Sequence, residues 1–270
     1  MIRTLVLLLT ASTTLLPIGP AADNYAVAFD PTASSALIGP TAGPRLTNPG
    51  RMTIAIRYKR PTIPPTGFAE LYSKYDATSV VGWYANYSAA FGLAIGVPNN
   101  NGGVSDRLHF SIPNAGVWVR ECHVFNMQLT ETEKIRLYRA EGDAVTMADI
   151  QGTRPSGSTL PSWVRGAPAA PWTIGGRETS NFGDAVVSDF LFVDAELSLS
   201  ECSALWNTAT TPVKLVDLRQ HSRWYWMRMW VTFGDAGGDT IASGGTVRDI
   251  IGAARFIPAG LTTAARVSAN

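Results

Sequence analysis

Three acidic residues near the end of one apolar run are the first group whose type and spacing could do chemistry. Asp189, Asp194 and Glu196 lie in or just after the run "AVVSDFLFVD" (185–194). A retaining glycosidase needs two carboxyl groups about 5 Å apart, which requires both on one face of a strand. Asp189 and Asp194 are five positions apart, so strand alternation turns them to opposite faces. We therefore expect these carboxylates to be solvated at strand ends rather than catalytic.

The other residues that could do chemistry form no catalytic or metal-binding pattern in the sequence. His109, His123 and His221 are too scattered for a metal cluster. The sequence contains neither a Gly-x-Ser-x-Gly elbow nor a phosphate-binding loop. The chain has 270 residues, a formal net charge of +1 and 16% charged residues, so its charge does not predict nucleic-acid binding. We predict a protein that is not an enzyme and does not bind nucleic acid.

The run "RWYWMRMWV" (223–231) is the most unusual candidate for binding. If the segment is extended, Trp224, Trp226, Arg228 and Trp230 share one face of the strand. Large aromatic side chains beside an arginine are typical of sugar-stacking platforms and of subunit contacts. A strand buried on both faces in a sheet core has the same composition. The sequence leaves core, subunit interface and ligand platform open.

Two cysteines, Cys122 and Cys202, are the only ones in the chain. A disulfide between them would close a loop of about 80 residues and stabilise the fold by about 4 kcal/mol in the loop-entropy model. In a reducing compartment both would be free thiols. The sequence permits either state.

Short strands are the elements that must hold these residues in place. Runs rich in Val, Ile, Phe, Tyr, Trp and Thr predict strands at 24–30, 51–60, 69–76, 80–87, 91–97, 107–112 and 185–194. Their spacing of about ten residues per strand and turn is typical of β-sandwiches. No apolar pattern at helical spacing is long enough for a three-turn core helix. The sequence therefore predicts an all-β, antiparallel jelly-roll sandwich with one or two short helices.

Two capping-box signatures indicate where the short helices could begin. Ser198 and Glu201 precede an apolar face suited to a single short helix. Thr130 and Glu133 have the same spacing and favour a helix over 131–141. In that segment, however, apolar and polar residues alternate as in a strand, so we predict a strand there.

Five stretches resemble, in order, the laminin G-like, concanavalin A-like jelly-roll family. They are "FAELYSKYD", "GWYANY", "RLYRAEG", "WTIGGRE" and "FGDAVVSDFLFVDAELSLSECSALWN". The resemblance implies one sandwich over residues 24–207, followed by a C-terminal extension over 208–270. Members of this family often hold calcium through loop oxygens, so the resemblance implies a calcium site at Asp76, Asp106 and Asp184. We expect no other cofactor.

The C-terminal stretch from Leu205 to Phe256 is similar to tails that follow such domains in bacteriophage structural proteins. The matching residues are Trp226, Arg228, Gly234, Asp235, Val247, Asp249 and Gly252. This resemblance implies a virion surface structural protein, either a capsid decoration protein or a tail component. Its partners would be neighbouring virion proteins or further copies of the chain, together with a host-surface glycan.

The N-terminal stretch over 1–23 has two interpretations. Arg3, an apolar run over 5–16 and small residues at Ala21 and Ala22 have the layout of a cleaved signal peptide. The same stretch, if retained, is an apolar arm that must be buried. The run is too short to span a membrane. The first hypothesis is thus a virion-exterior protein with an assembly arm, and the second is a secreted bacterial carbohydrate-binding protein of the lectin type.

Overall fold

Strands are the main regular elements of the chain. The structure, a computed structural model, describes residues 25–41, 50–61, 67–76, 81–98, 107–156, 159–162, 170–177, 182–208, 213–233, 246–251, 255–262 and 265–268. Its strands are β1 (Tyr25–Ala28), β2 (Ala36–Ile38), β3 (Arg51–Lys59), β4 (Ala69–Asp76), β5 (Val81–Ser88), β6 (Gly92–Gly96), β7 (Arg107–Phe110), β8 (Trp118–Asn126), β9 (Ile135–Glu141), β10 (Ala148–Ile150), β11 (Thr173–Ile174), β12 (Val186–Val193), β13 (Trp206–Asn207), β14 (Lys214–Leu215), β15 (Met227–Val231), β16 (Val247–Arg248), β17 (Arg255–Ala259) and β18 (Arg266–Ser268). A short helix, α1 (Leu199–Ser203), and two 3-10 turns (Leu218–Gln220 and Trp224–Trp226) complete the described elements.

Two antiparallel sheets pack face to face, which confirms the predicted all-β sandwich. The first sheet has the order β10-β9-β8-β3-β12-β1-β18, and β15 also pairs with β12. The second sheet has the order β16-β17-β2-β11-β4-β5-β6-β7. Strand alternation sends Ile54 and Ile56 of β3 and Trp83 and Ala85 of β5 into the core between the sheets.

Strand β12 is apolar on both faces because a further layer covers the outer face of the first sheet. Phe190 and Phe192 point into the core, whereas Leu191 and Val193 point outward. The outward residues pack against an outer apolar layer that includes Leu205. This layer includes residues from 195–206, from 213–230 and from β3, β8, β9 and β12, and it explains why the run over 185–194 lacks a polar face.

Helix α1 is held on this layer by its cap and by its buried face. The backbone N–H of Glu201 donates to Ser198 Oγ over 3.3 Å, and the backbone N–H of Ser198 donates to Glu201 Oε2 over 2.8 Å. Cys202, on the face of the helix that packs against the layer, is fully buried. The capping box predicted at Ser198 is therefore confirmed.

The second capping-box signature forms a turn instead of a helix. Thr130 Oγ1 donates to Glu133 Oε2 over 2.6 Å, and the chain then enters β9. Strand β9 pairs with β8 on one side and with β10 on the other. The strand predicted from alternation is confirmed, because pairing along β8 outweighs a single helical turn.

The C-terminal region differs from the extension that we expected over 208–270. Strands β15 and β18 join the first sheet, and β16 and β17 join the second. Asp249 is buried and accepts hydrogen bonds from the backbone N–H groups of Trp230 and Ile251, over 2.8 and 3.1 Å. The expected boundary after Asn207 therefore does not mark the end of either sheet.

A polar network crosses the core between the two sheets. The Tyr72 hydroxyl lies 2.6 Å from His123 Nδ1, and His123 Nε2 lies 2.8 Å from Glu121 Oε2. Arg139 Nε donates to Glu121 Oε1 over 2.6 Å, and the Tyr58 hydroxyl donates to Oε2 over 3.1 Å. Burial opposes ionisation of Glu121, but Arg139 and His123 lower the pKa of this carboxyl. The carboxylate accepts only, so His123 Nε2 donates to it and Nδ1 accepts from Tyr72.

Several expected features lie outside the described residues. They include the N-terminal stretch over 1–23, Asp106, and Gly234, Asp235 and Gly252 of the C-terminal motif.

Candidate functional site

An open cleft of about 420 Å³ lies on the outer face of the first sheet, beside α1. One wall is formed by the starts of β3 and β9, and the other by the chain that leaves β12 and enters α1. The cleft is lined by three guanidinium groups, from Arg51, Arg136 and Arg223, and by three carboxyl groups, from Asp194, Glu196 and Glu201. We refer to it as the Trp226 cleft, because the Trp226 indole borders it.

Hydrogen bonds hold the charged groups of the cleft in place. Arg223 Nε donates to Glu201 Oε1 over 2.6 Å. Asn126 Nδ2 donates to Glu196 Oε2 over 2.6 Å, and Arg51 Nη2 donates to the Gln128 side chain over 3.0 Å. Because these partners fix the side chains beforehand, a ligand would meet an ordered set of donors and acceptors.

Glu201 is an ionised acceptor rather than a proton donor. Burial alone would raise the pKa of its carboxyl group. Hydrogen bonds from Ser198, together with the Arg223 guanidinium, more than offset this and lower the pKa below its usual value.

An exposed apolar surface borders the charged groups. Trp226 is 43% exposed, the neighbouring Tyr225 is 85% exposed, and Leu199 at the start of α1 is 37% exposed. Large exposed aromatic side chains next to polar groups are typical of binding surfaces. The Trp226 cleft therefore combines an aromatic platform with hydrogen-bonding groups.

The four residues predicted to share one face of an extended strand do not all do so. Trp224 and Trp226 lie in a 3-10 turn, and the strand begins only at Met227. Trp224 and Trp230 pack against the outer apolar layer. Arg228 Nη2 lies 3.6 Å from Asp194 Oδ2, and its guanidinium carbon lies 6.0 Å from the centre of the Trp226 ring. The structure thus brings Trp226 close to Arg228, while Trp224 and Trp230 contribute to the outer apolar layer.

The expectation that the acidic residues of β12 are solvated is wrong. Asp189 is 2% exposed and accepts a hydrogen bond from the Ser188 hydroxyl over 2.6 Å. Burial raises the pKa of this carboxyl, against the attraction of Arg57. Asp194 is 1% exposed and forms the ion pair with Arg228. Both carboxylates are buried because the outer apolar layer covers the face of the sheet on which solvent was expected.

Of the three aspartates in the implied calcium site, only Asp184 has a side chain that the structure describes. Asp184 accepts a hydrogen bond from the Tyr87 hydroxyl, and burial raises the pKa of its carboxyl. Asp76 ends β4, and its side chain, like all of Asp106, lies outside what the structure describes. Among the described residues, no group of three or more His, Cys, Asp or Glu side chains is arranged to hold a metal ion. The calcium site stays a prediction.

Cys122 and Cys202 lie together in the outer apolar layer as free thiols. Cys122 is on β8, and Cys202 is on α1. Burial raises the pKa of the Cys202 thiol well above its usual value, and a hydrogen bond with Cys122 raises it further. In this state both cysteines act as small apolar side chains that attach α1 to the sheet.

Most residues of the Trp226 cleft could not be found from the sequence. Arg51, Arg136 and Arg223 come from segments far apart in the chain. The available signals were indirect: the alternation of β9 turns Arg136 to the outer face, and the capping box singled out Glu201. Neither signal predicts that these side chains meet.

Among the described residues, no helix has the length and apolar character that crossing a membrane requires.

Comparisons with known proteins show a similar fold at low sequence identity. No protein-family model and no curated protein sequence matches the chain. A candidate carbohydrate-binding protein from Bacteroides ovatus has a TM-score of 0.52 at 12% identity, over 92% of this chain and 62% of that one. A heptameric SAP-like pentraxin from Limulus polyphemus has a TM-score of 0.42 at 16% identity, over 69% of this chain and 83% of that one.

The CBM40 of a Ruminococcus gnavus IT-sialidase, bound to α2,3-sialyllactose, has a TM-score of 0.37 at 15% identity, over 58% of this chain and 82% of that one. With 62% of its length matched, the Bacteroides ovatus protein is covered to less than two thirds by this chain. At 12% identity, its similarity to that protein extends to the sandwich fold alone.

Proposed function

We propose that this protein is a non-catalytic carbohydrate-binding protein and that the Trp226 cleft is its binding site. The observation that carries the proposal is the exposed Trp226 ring beside an open cleft with equal numbers of guanidinium and carboxyl groups. An indole ring offers a flat apolar surface for the C–H face of a sugar. Guanidinium groups donate and carboxylates accept, and a sugar hydroxyl can do both.

The charge of the cleft favours a neutral ligand. The three arginines are balanced by the three acidic residues that line the same space. A nucleic acid or a polyanionic glycan would need an excess of positive charge. A neutral oligosaccharide needs paired donors and acceptors, which the cleft provides.

The state of the carboxylates favours binding over hydrolysis. A general acid needs a carboxyl group whose pKa is raised, but the pKa of Glu201 is lowered by Ser198 and Arg223. Asp194 forms an ion pair with Arg228, and Glu196 accepts from Asn126. These contacts leave Glu196 and Glu201 as acceptors that can position a ligand, whereas the buried Asp194 carboxylate holds Arg228.

The proposal corresponds to the secreted lectin-type hypothesis rather than to the virion hypothesis. The Bacteroides ovatus protein, which shares the fold, is itself a candidate carbohydrate-binding protein. None of the three similar structures described above is a bacteriophage protein, and the virion role, like the location of the protein, stays a prediction.

The test is to replace the aromatic platform and measure sugar binding. We expect Trp226→Ala to weaken binding of a neutral oligosaccharide at least tenfold, which corresponds to about 1.4 kcal/mol. The probes are gluco-, galacto-, manno- and xylo-oligosaccharides, titrated calorimetrically. Tyr225→Ala is the matched control, because Tyr225 is adjacent and more exposed but does not line the cleft. Equal affinity of Trp226→Ala and wild type would show that the site is elsewhere.

A further inference from the structure

A second open cavity, of about 480 Å³, lies against α1 next to the Trp226 cleft. Glu201 lines both spaces, so they share a wall. We refer to the second space as the Gln220 cavity. Its other lining residues come from α1, the residue after it and the segment that follows β14: Ser200, Ala204, Val216, Asp217, Gln220, His221 and Ser222.

Hydrogen bonds fix the shared wall. His221 lines the Gln220 cavity, whereas Arg223, two residues later, lines the Trp226 cleft. The backbone N–H of Arg223 donates to His221 Nδ1 over 3.1 Å. The ring proton is therefore on Nε2, which donates to the carbonyl oxygen of Glu201 over 3.0 Å. Together with the bond from Arg223 Nε to Glu201, these contacts hold the two spaces in a fixed relative position.

The polar groups of the Gln220 cavity are open to solvent. Ser200, Gln220 and Ser222 are exposed, and the Asp217 side chain is 36% exposed. Two hydroxyl groups and one amide group can each donate and accept, as sugar hydroxyls do. A ligand can therefore reach these groups directly.

The carboxylates of the Gln220 cavity are compensated by arginines. Asp217 Oδ1 accepts from Arg219 Nε over 2.8 Å, and Asp217 Oδ2 accepts from Arg219 Nη2 over 2.6 Å. Glu201 is paired in the same way with Arg223. The cavity therefore favours a neutral ligand, as does the Trp226 cleft.

The surface of α1 allows a ligand to pass from one space to the other. Leu199 borders the Trp226 cleft, whereas Ser200 and Ala204, both exposed, border the Gln220 cavity. Two of these three side chains are small, so they raise no tall barrier beside Glu201. Ligand sites in proteins range over about 300–1,000 Å³, and a ligand that fills both spaces would need the upper part of this range.

We propose that the Gln220 cavity is a subsite of the Trp226 cleft and that the two together bind a linear neutral oligosaccharide. One sugar ring packs on the Trp226 indole. The chain continues past Glu201, and its later units hydrogen-bond to Ser200, Gln220 and Ser222. The inference rests on the proposed function and adds the length of the ligand to it.

Binding as a function of ligand length tests the inference. We expect calorimetric affinity of the wild-type protein to rise at least tenfold from a disaccharide to a hexasaccharide of the same sugar. Ser222→Trp, which fills the Gln220 cavity, should abolish this rise and leave disaccharide affinity unchanged. Gln220→Ala should reduce the rise, with Gln151→Ala as the matched control because Gln151 is exposed and lines neither space. Unchanged disaccharide binding also shows that each variant is folded.

A second measurement uses the wild-type protein alone. The backbone amide resonances of Gln220 and Ser222 should shift on titration with the hexasaccharide and stay in place with the disaccharide.

The outcomes separate the subsite from the Trp226 cleft. If affinity does not rise with length, or if Ser222→Trp binds the hexasaccharide as wild type does, the subsite is wrong. The Trp226 cleft still stands in that case, provided that Trp226→Ala weakens binding at every length. Loss of binding at every length in Ser222→Trp, with none in Trp226→Ala, would overturn both, as would failure of every oligosaccharide to bind.

Discussion

Glu70 shows how one residue can tie stability to pH. Burial raises the pKa of its carboxyl group to about 7 from the usual 4.5, although Arg177 opposes the shift. Because the folded pKa is raised, the favourable contribution of the neutral form is complete below pH 4.5. It is lost as the pH rises through about 7.

Replacing Glu70 by glutamine should therefore change stability in a pH-dependent way. We expect Glu70→Gln to equal wild type at pH 4 and to exceed it at pH 8 by about 3 kcal/mol, because glutamine cannot ionise. Urea unfolding at both pH values measures the difference. Asp143→Asn, at an exposed acidic residue, is the control for removing a charge. A stability difference that is the same at pH 4 and pH 8 would contradict this account.

At the residue scale, unusual residue types could be recognised from the sequence, but the burial and contacts of each side chain could not. Trp226 and Arg228 could be named because four aromatic or basic residues at alternate positions are unusual. Glu70 could not, because a charged residue between Ala69 and Leu71 in a strand ordinarily points to solvent. Its burial depends on Arg177, which is more than 100 positions away in the chain.

Helix α1 is stabilised largely by its own capping box. The helix has five residues, so its capping box satisfies a large share of its free backbone donors. We expect Ser198→Ala to destabilise the protein by about 1 kcal/mol, the usual cost of losing such a cap. Urea unfolding measures this, with Ser198→Asn, which keeps a capping oxygen at the same position, as the control. If the two variants lose the same stability, the cap is not the cause.

At the element scale, local sequence patterns predicted helices and strands correctly where strand pairing in the sheet favoured the same structure. The same Ser/Thr-x-x-Glu signature begins a helix at Ser198 and only a turn at Thr130, because β9 pairs with β8 immediately afterwards. The run over 223–231 was expected to be one strand. Its first part is a 3-10 turn: the ladder with β12 ends at Val193, and beyond it only the Asp194 N–H donates to the Trp226 carbonyl, over 2.8 Å.

The whole molecule depends on strands that follow Asn207. Met229, Val231 and Phe256 belong to the main core, and each contributes about 1.5 to 3 kcal/mol by burial. Removing residues 208–270 deletes these side chains and much of the cover over the outer face of β12. The loss is comparable to the total stability of a typical domain.

We therefore expect a chain that ends at Asn207 to be unfolded. Circular dichroism and limited proteolysis, compared with the full chain, measure this. A fragment with a β-sheet spectrum and a cooperative thermal transition would show that the last strands are dispensable.

At the scale of the molecule, the sequence predicted the sandwich but not its extent. Turn spacing and alternation identify strands, and regular spacing identifies the fold class. Neither says which strands pair. The partners of β12 include β15, about 40 positions later, and the partner of β1 is β18. Such distant pairings follow from the packing of the complete core.

The pairing of β1 with β18 has a consequence for how the protein is made. Tyr25 faces Ser268, so the first described strand meets the last one. On a ribosome, β1 emerges long before β18, and the edge of β1 that pairs with β18 stays open in the interval. Closing a loop of that length is slow, and open strand edges promote aggregation. We therefore expect the edge of β1 to be exposed during synthesis until β18 has emerged and paired with it.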